Sequence, residues 1–105
     1  GLDYEDLPRL VKTRDSAFVG TDVLLRLRNW NVETLVLAGV ATHNCVAQTA
    51  ADAFANNFRV RFAREALAST NDEYEEAILQ MLSDEYRQPI ESNADLKDFF
   101  NTRQA

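Results

Sequence analysis

Six residues, "TLVLAG" at 34 to 39, form an apolar run without alternation, closed by a glycine. A strand with one face in water alternates apolar and polar residues. A continuous run fits a strand covered on both faces, as in a parallel sheet between crossover helices. The residues that follow change period. Val46, Ala50, Ala53 and Phe54 stand at i, i+4, i+7 and i+8, which predicts a helix over 44–56 with one inward stripe. "FRVRFA", 58 to 63, alternates and predicts a second strand with one face less covered.

The flanking segments extend this order. "RLVKT", 9 to 13, reads as a short strand. Thr21 is placed to cap a helix carrying Val23, Leu24 and Leu27 and ending near 29–31. Thr70 and Glu73 have capping-box spacing ahead of the stripe Tyr74, Ala77, Ile78, Met81 and Leu82. A short strand at 88–90 and a helix at 94–101 complete the chain. The expected order is β-α-β-α-β-α-β-α, a doubly wound parallel α/β sheet with flanking helices.

The totals bound the function. The 105 residues suffice for one domain or part of one. Seventeen acidic against eleven basic residues leave a net charge of −6, and the basic ones form no stripe, so no nucleic-acid partner is expected. No segment approaches the roughly 20 apolar residues of a membrane span. Gly1 to Asp6 lacks a signal-peptide pattern. One cysteine excludes an internal disulfide, which suits a reducing, cytoplasmic location.

Ligands of such sheets bind beyond the carboxyl ends of strands. Cys45 lies just past the end of "TLVLAG", and Lys12 lies at the end of "RLVKT". Both residues are expected in one crevice. A helix N-terminus and a nearby cation favour the thiolate. The competing reading is a small, packed cysteine, which is common. His43 reads as a substrate contact or a solvent-facing loop histidine, and Phe18 as a pocket wall or a core residue. Thr42 or Asn44 is placed to cap the cysteine helix. The acid cluster Asp72, Glu73, Glu75 and Glu76 has no His or Cys partner and reads as a solvated helix start, so neither metal nor cofactor is expected.

"KTRDSAFVGTDV" and "TLVLAGVATHNCVAQTAADAF" together resemble the isochorismatase-like cysteine hydrolases, which include nicotinamidases and N-carbamoylsarcosine amidohydrolases. The resemblance runs from about Arg9 to Ser69. It implies a Rossmann-like three-layer fold and an Asp–Lys–Cys triad, with Cys45 as nucleophile and Lys12 as the triad lysine. It also implies a cis peptide between Val40 and Ala41, an oxyanion hole at the Ala41 and Cys45 N–H groups, and Phe18 in the pocket wall. The family's aspartate base lies far upstream of the lysine, as do the metal-binding residues of nicotinamidases. Asp3 and Asp6 stand in the wrong context for that base, and "REALAS" at 64–69 departs from the family pattern. Residues 1–105 are therefore expected to be the C-terminal portion of a single hydrolase domain, with N-terminal strands missing. The expected activity is thioester-forming hydrolysis of a small amide or carbamoyl compound, with the N-terminal half of the same protein as partner and a homo-oligomer as assembly. An inactive binding or oligomerisation module and a thiol redox sensor are the alternatives.

Overall fold

The computed structural model describes residues 6–104, so Asp3 lies outside the described residues. The elements are α1 (Val23–Asn29), β1 (Thr34–Val40), a wide turn (Thr42–Val46), α2 (Ala47–Ala55), β2 (Arg59–Ala68), α3 (Asp72–Tyr86), β3 (Ile90–Glu91) and α4 (Asn93–Gln104). The three strands form one parallel sheet in the order β1-β2-β3. This is the expected class of fold, with one strand fewer. Residues 9–13 form no strand, because they find no ladder partner among the described residues. Val11 there is 87% exposed.

The core sits on one face of β2. Val60 and Phe62 are buried against Ala50 and Ala53 of α2 and Leu79 and Leu82 of α3. The small α2 residues let the helix lie close to the sheet. Arg61 points to the other face, where its guanidinium stacks 3.9 Å from the Phe99 ring centroid of α4 and pairs with Glu91. Helices therefore cover both faces of the central strand, and the alternation in "FRVRFA" separates an apolar layer from a charged and aromatic one. β1 is an edge strand among the described residues, and Leu35 and Leu37 are only partly buried.

Four local expectations need correction. β2 runs on to Ala68, so most of "REALAS" is strand. Along this ladder β1 advances from Leu37 to Gly39 while β2 advances from Phe62 to Leu67, and pairing resumes at Val40 and Ala68. Asn71 caps α3, its side chain accepting from the Tyr74 N–H at 3.0 Å in place of Thr70. The inward face of α3 carries Glu75, Leu79 and Leu82, while Tyr74 and Met81 are exposed. Turning Glu75 inward rotates the helix by about 100° from the expected stripe, the angle between successive residues. Phe54 is also half exposed and stacks on Tyr86 at 4.5 Å.

Phe62 is fully buried at the centre of this layer. Phe62→Ala is expected to lower unfolding free energy by about 3–5 kcal/mol in urea titrations. A loss below about 1 kcal/mol would mean that the core is centred elsewhere.

Candidate active site

β1 delivers the chain to the site and then changes direction. Gly39 has φ +130°, a conformation that residues with side chains rarely adopt. The Val40–Ala41 peptide bond is cis. Beyond it, Thr42–Val46 form a wide turn of π geometry rather than the first turn of an α-helix. Its bonds converge on one acceptor: the Ala41 carbonyl accepts from the Asn44 N–H at 3.1 Å and from the Val46 N–H at 3.3 Å. Turns of this kind often mark functional sites, because they re-aim side chains that a regular helix would hold elsewhere. Cys45 is carried on this turn and is partly buried.

Thr42 caps no helix end. Its side chain is buried, and its hydroxyl donates to a Glu75 carboxylate oxygen of α3 at 2.7 Å, with the Ala68 carbonyl of β2 at 3.2 Å. The second Glu75 oxygen accepts from Arg64 of β2 at 3.0 Å. Glu75 is 5% exposed, so it is no solvated helix-start acid. Asp72, Glu73 and Glu76 are exposed, as expected of such a cluster. A buried carboxylate is tolerated only when its oxygens find partners, and here each oxygen has one.

The lysine segment is fastened to the start of α2, just beyond this turn. The Thr49 hydroxyl of α2 accepts from the Ala17 N–H at 3.0 Å, and Gln48 donates to Asp15 at 3.0 Å. The buried Ser16 hydroxyl accepts from the Phe18 N–H. Residues 15–17 are thereby held at the start of α2. Lys12 and Cys45 line one recess of about 260 Å³, with Gly39, Val40, Val46 and Thr49 completing much of its wall. The Lys12 ammonium donates to the Arg14 carbonyl at 3.2 Å.

The other expected site residues lie elsewhere. Phe18 packs against the apolar core, its ring 6.1 Å from that of Phe58. His43 does not line the recess. Its Nδ1 is 2.7 Å from the Ser69 hydroxyl, and its ring meets Tyr74 edge-on at 5.6 Å. Cys45 and Lys12 thus line one recess, Ala41 stands just before the turn, and Phe18 and His43 are not in the recess wall. Among the described residues, no group of three or more His, Cys, Asp and Glu is arranged to hold a metal ion. No helix among them is long and apolar enough to cross a membrane.

Sequence reasoning missed Glu75, Arg64 and Thr49 as residues that hold this geometry, and expected Thr42 to hold the cysteine segment as a helix cap rather than through Glu75 and Ala68. Their partners are 26 and 33 residues from Thr42, 11 from Glu75 and 32 from Thr49, so no short-range spacing pattern exposes them.

Residues 3–94 match the isochorismatase domain. The chain belongs to the isochorismatase family. It is 50% identical over 62 residues to isochorismatase family protein PncA of Bacillus subtilis, a match covering 59% of this chain and 34% of that protein. A probable inactive nicotinamidase of Arabidopsis thaliana is 40% identical over 82 residues, covering 76% of this chain and 42% of the relative. Among solved structures, nicotinamidase PncA from Bacillus subtilis superposes with a TM-score of 0.74 at 39% identity, covering 75% of this chain and 44% of that one. The chain thus spans less than half the length of these relatives. The parallel sheet with flanking helices is the fold of this isochorismatase-family neighbour.

Removing the Thr49 hydroxyl tests the fastening of the lysine segment. Thr49→Val leaves the Ala17 N–H without its acceptor, and a loss of about 1–3 kcal/mol is expected in urea titrations. Thr49→Ser is expected to stay close to the unaltered protein. Equal losses in both variants would assign the effect to packing of the threonine methyl.

Proposed function

We propose that this chain carries the nucleophile of a cysteine hydrolase acting on small amides or carbamoyl compounds. The single observation that supports the reading is the recess shared by Cys45 and Lys12 beyond the carboxyl end of β1. The Cys45 thiolate attacks the substrate carbonyl carbon, and the oxyanion that forms is met by the Ala41 and Cys45 N–H groups. The tetrahedral intermediate collapses to a thioester as the nitrogen leaves with a proton. Water then cleaves the thioester, releasing the carboxylic or carbamic acid and restoring the thiol. Lys12 supplies positive charge beside the thiolate.

The proton carrier in this reading is an aspartate from the portion of the fold that the chain does not span. That portion is the proposed partner, and the free side of β1 is its place of pairing, since β1 has a ladder partner on one side only among the described residues. Phe18 and His43 have no part in the bond changes. A second reading, a binding module without catalysis, takes support from the relative named a probable inactive nicotinamidase.

The test is hydrolysis of nicotinamide and N-carbamoylsarcosine, the amides that the names of relatives suggest. The protein is assayed with its upstream portion, following ammonia release and the mass of Cys45 during turnover. Turnover with a transient acyl adduct on Cys45 is expected. Cys45→Ala is expected to abolish it, and Lys12→Ala to lower kcat about a hundredfold or more. Full activity in Cys45→Ala would end the nucleophile reading. Absence of turnover on every amide tried, with Cys45 intact, would favour the binding module.

A further inference from the structure

We infer that Glu75 is the positioning residue for the cysteine turn, acting through the Thr42 hydroxyl. The inference rests on the hydrolase reading for its catalytic consequence and on geometry alone for its structural one. Thr42 opens the turn that ends at Val46, and Cys45 stands between them. The turn's two converging hydrogen bonds both end on Ala41, the residue just before Thr42. Fixing Thr42 therefore fixes the acceptor around which the turn is wound, and with it the direction of Cys45.

Thr42 has one hydroxyl proton and two acceptors in reach. The Glu75 carboxylate, at 2.7 Å, lies closer than the Ala68 carbonyl at 3.2 Å, and a charged acceptor makes the stronger bond. Arg64, reaching from β2, holds the other carboxylate oxygen at 3.0 Å and so sets the direction in which Glu75 faces Thr42. Three elements meet at this carboxylate: the turn, β2 and α3. The contact is also dry, with Thr42 1% and Glu75 5% exposed, so water does not readily replace a lost partner. The hydrogen-bond partners of the Glu75 carboxylate are Thr42 and Arg64, neither of which lines the recess, and of the two only Thr42 stands in the cysteine turn.

The structural role is read by hydrogen exchange and mass spectrometry of the full chain. In Thr42→Val, which keeps the shape and removes the hydroxyl, amides 42–46 are expected to exchange about tenfold faster or more, while those of α2 at 50–55 stay unchanged. Thr42→Ser, which restores the hydroxyl, is expected to return the turn to within about twofold of the unaltered rate. Glu75→Gln keeps one carbonyl acceptor for two donors and is expected to show the same local pattern at smaller amplitude. It carries the test if Thr42→Val fails to fold. In amide turnover, Thr42→Val and Glu75→Gln are expected to lower kcat about tenfold with KM within about threefold, as befits a misaligned nucleophile. Folded variants with unchanged exchange at 42–46 would overturn the inference. So would exchange that rises evenly across α2, β2 and α3, or a loosened turn with unaltered kcat. If the unaltered protein hydrolyses no amide, the hydrolase reading fails, and the exchange pattern still decides for or against the clamp.

Discussion

The contact between the Thr42 hydroxyl and the Glu75 carboxylate is the constraint on which the site geometry depends. It joins the turn that carries Cys45 to a helix that begins only after the whole of β2 has intervened. Without it, the turn would be held by its own backbone bonds to Ala41 and by the end of β1, where the ladder is already irregular. A buried carboxylate is an expensive anchor, because both charge and oxygens lose water. It is stable here because Arg64 and Thr42 divide the two oxygens between them. Removal of Thr42 or Arg64 would leave one buried Glu75 oxygen without its partner, whereas Arg64 also reaches Glu76 at 3.5 Å and Thr42 also reaches the Ala68 carbonyl.

A second, weaker set of contacts works from the opposite direction. Thr49 and Gln48, on the first turn of α2, hold the backbone and side chains of residues 15–17. Helix α2 therefore serves two functions. Its inward alanines set the distance to β2, and its N-terminal polar residues set where the lysine segment runs. The recess between Cys45 and Lys12 follows from both. Its position beyond a strand's carboxyl end is the usual consequence of parallel α/β topology, in which loops at that end converge.

Much of this was legible in the sequence because it rests on local period. "TLVLAG", the Val46–Ala50–Ala53 stripe and "FRVRFA" each declare their element within a few residues, and the strand-helix-strand order then fixes a parallel sheet. Lys12 and Cys45 line one recess, although the strand expected at 9–13, on which their meeting was to rest, does not form. What stayed hidden depends on partners far along the chain. Glu75 looks like any first-turn acid until Arg64 and Thr42 are brought to it. Its burial turns α3 by one residue, so Tyr74 and Met81, which match an apolar stripe, face outward. His43 is drawn off by Ser69 and Tyr74, neither of which lies near it in sequence. "RLVKT" has strand composition, yet strands are made by neighbours, and no strand pairs with it among the described residues.

The central claim is that Thr42 and Glu75 are energetically coupled, and a double-mutant cycle measures this directly. The four proteins are the unaltered chain, Thr42→Val, Glu75→Leu and the double variant, each unfolded in urea. The cost of removing the nearer of Arg64's two carboxylates, Glu76 remaining at 3.5 Å, is common to both legs that change Glu75 and cancels. A coupling of about 1.5–3 kcal/mol is expected for a dry hydrogen bond to a charged group. A coupling within about 0.5 kcal/mol of zero, with both single variants folded, would contradict the account.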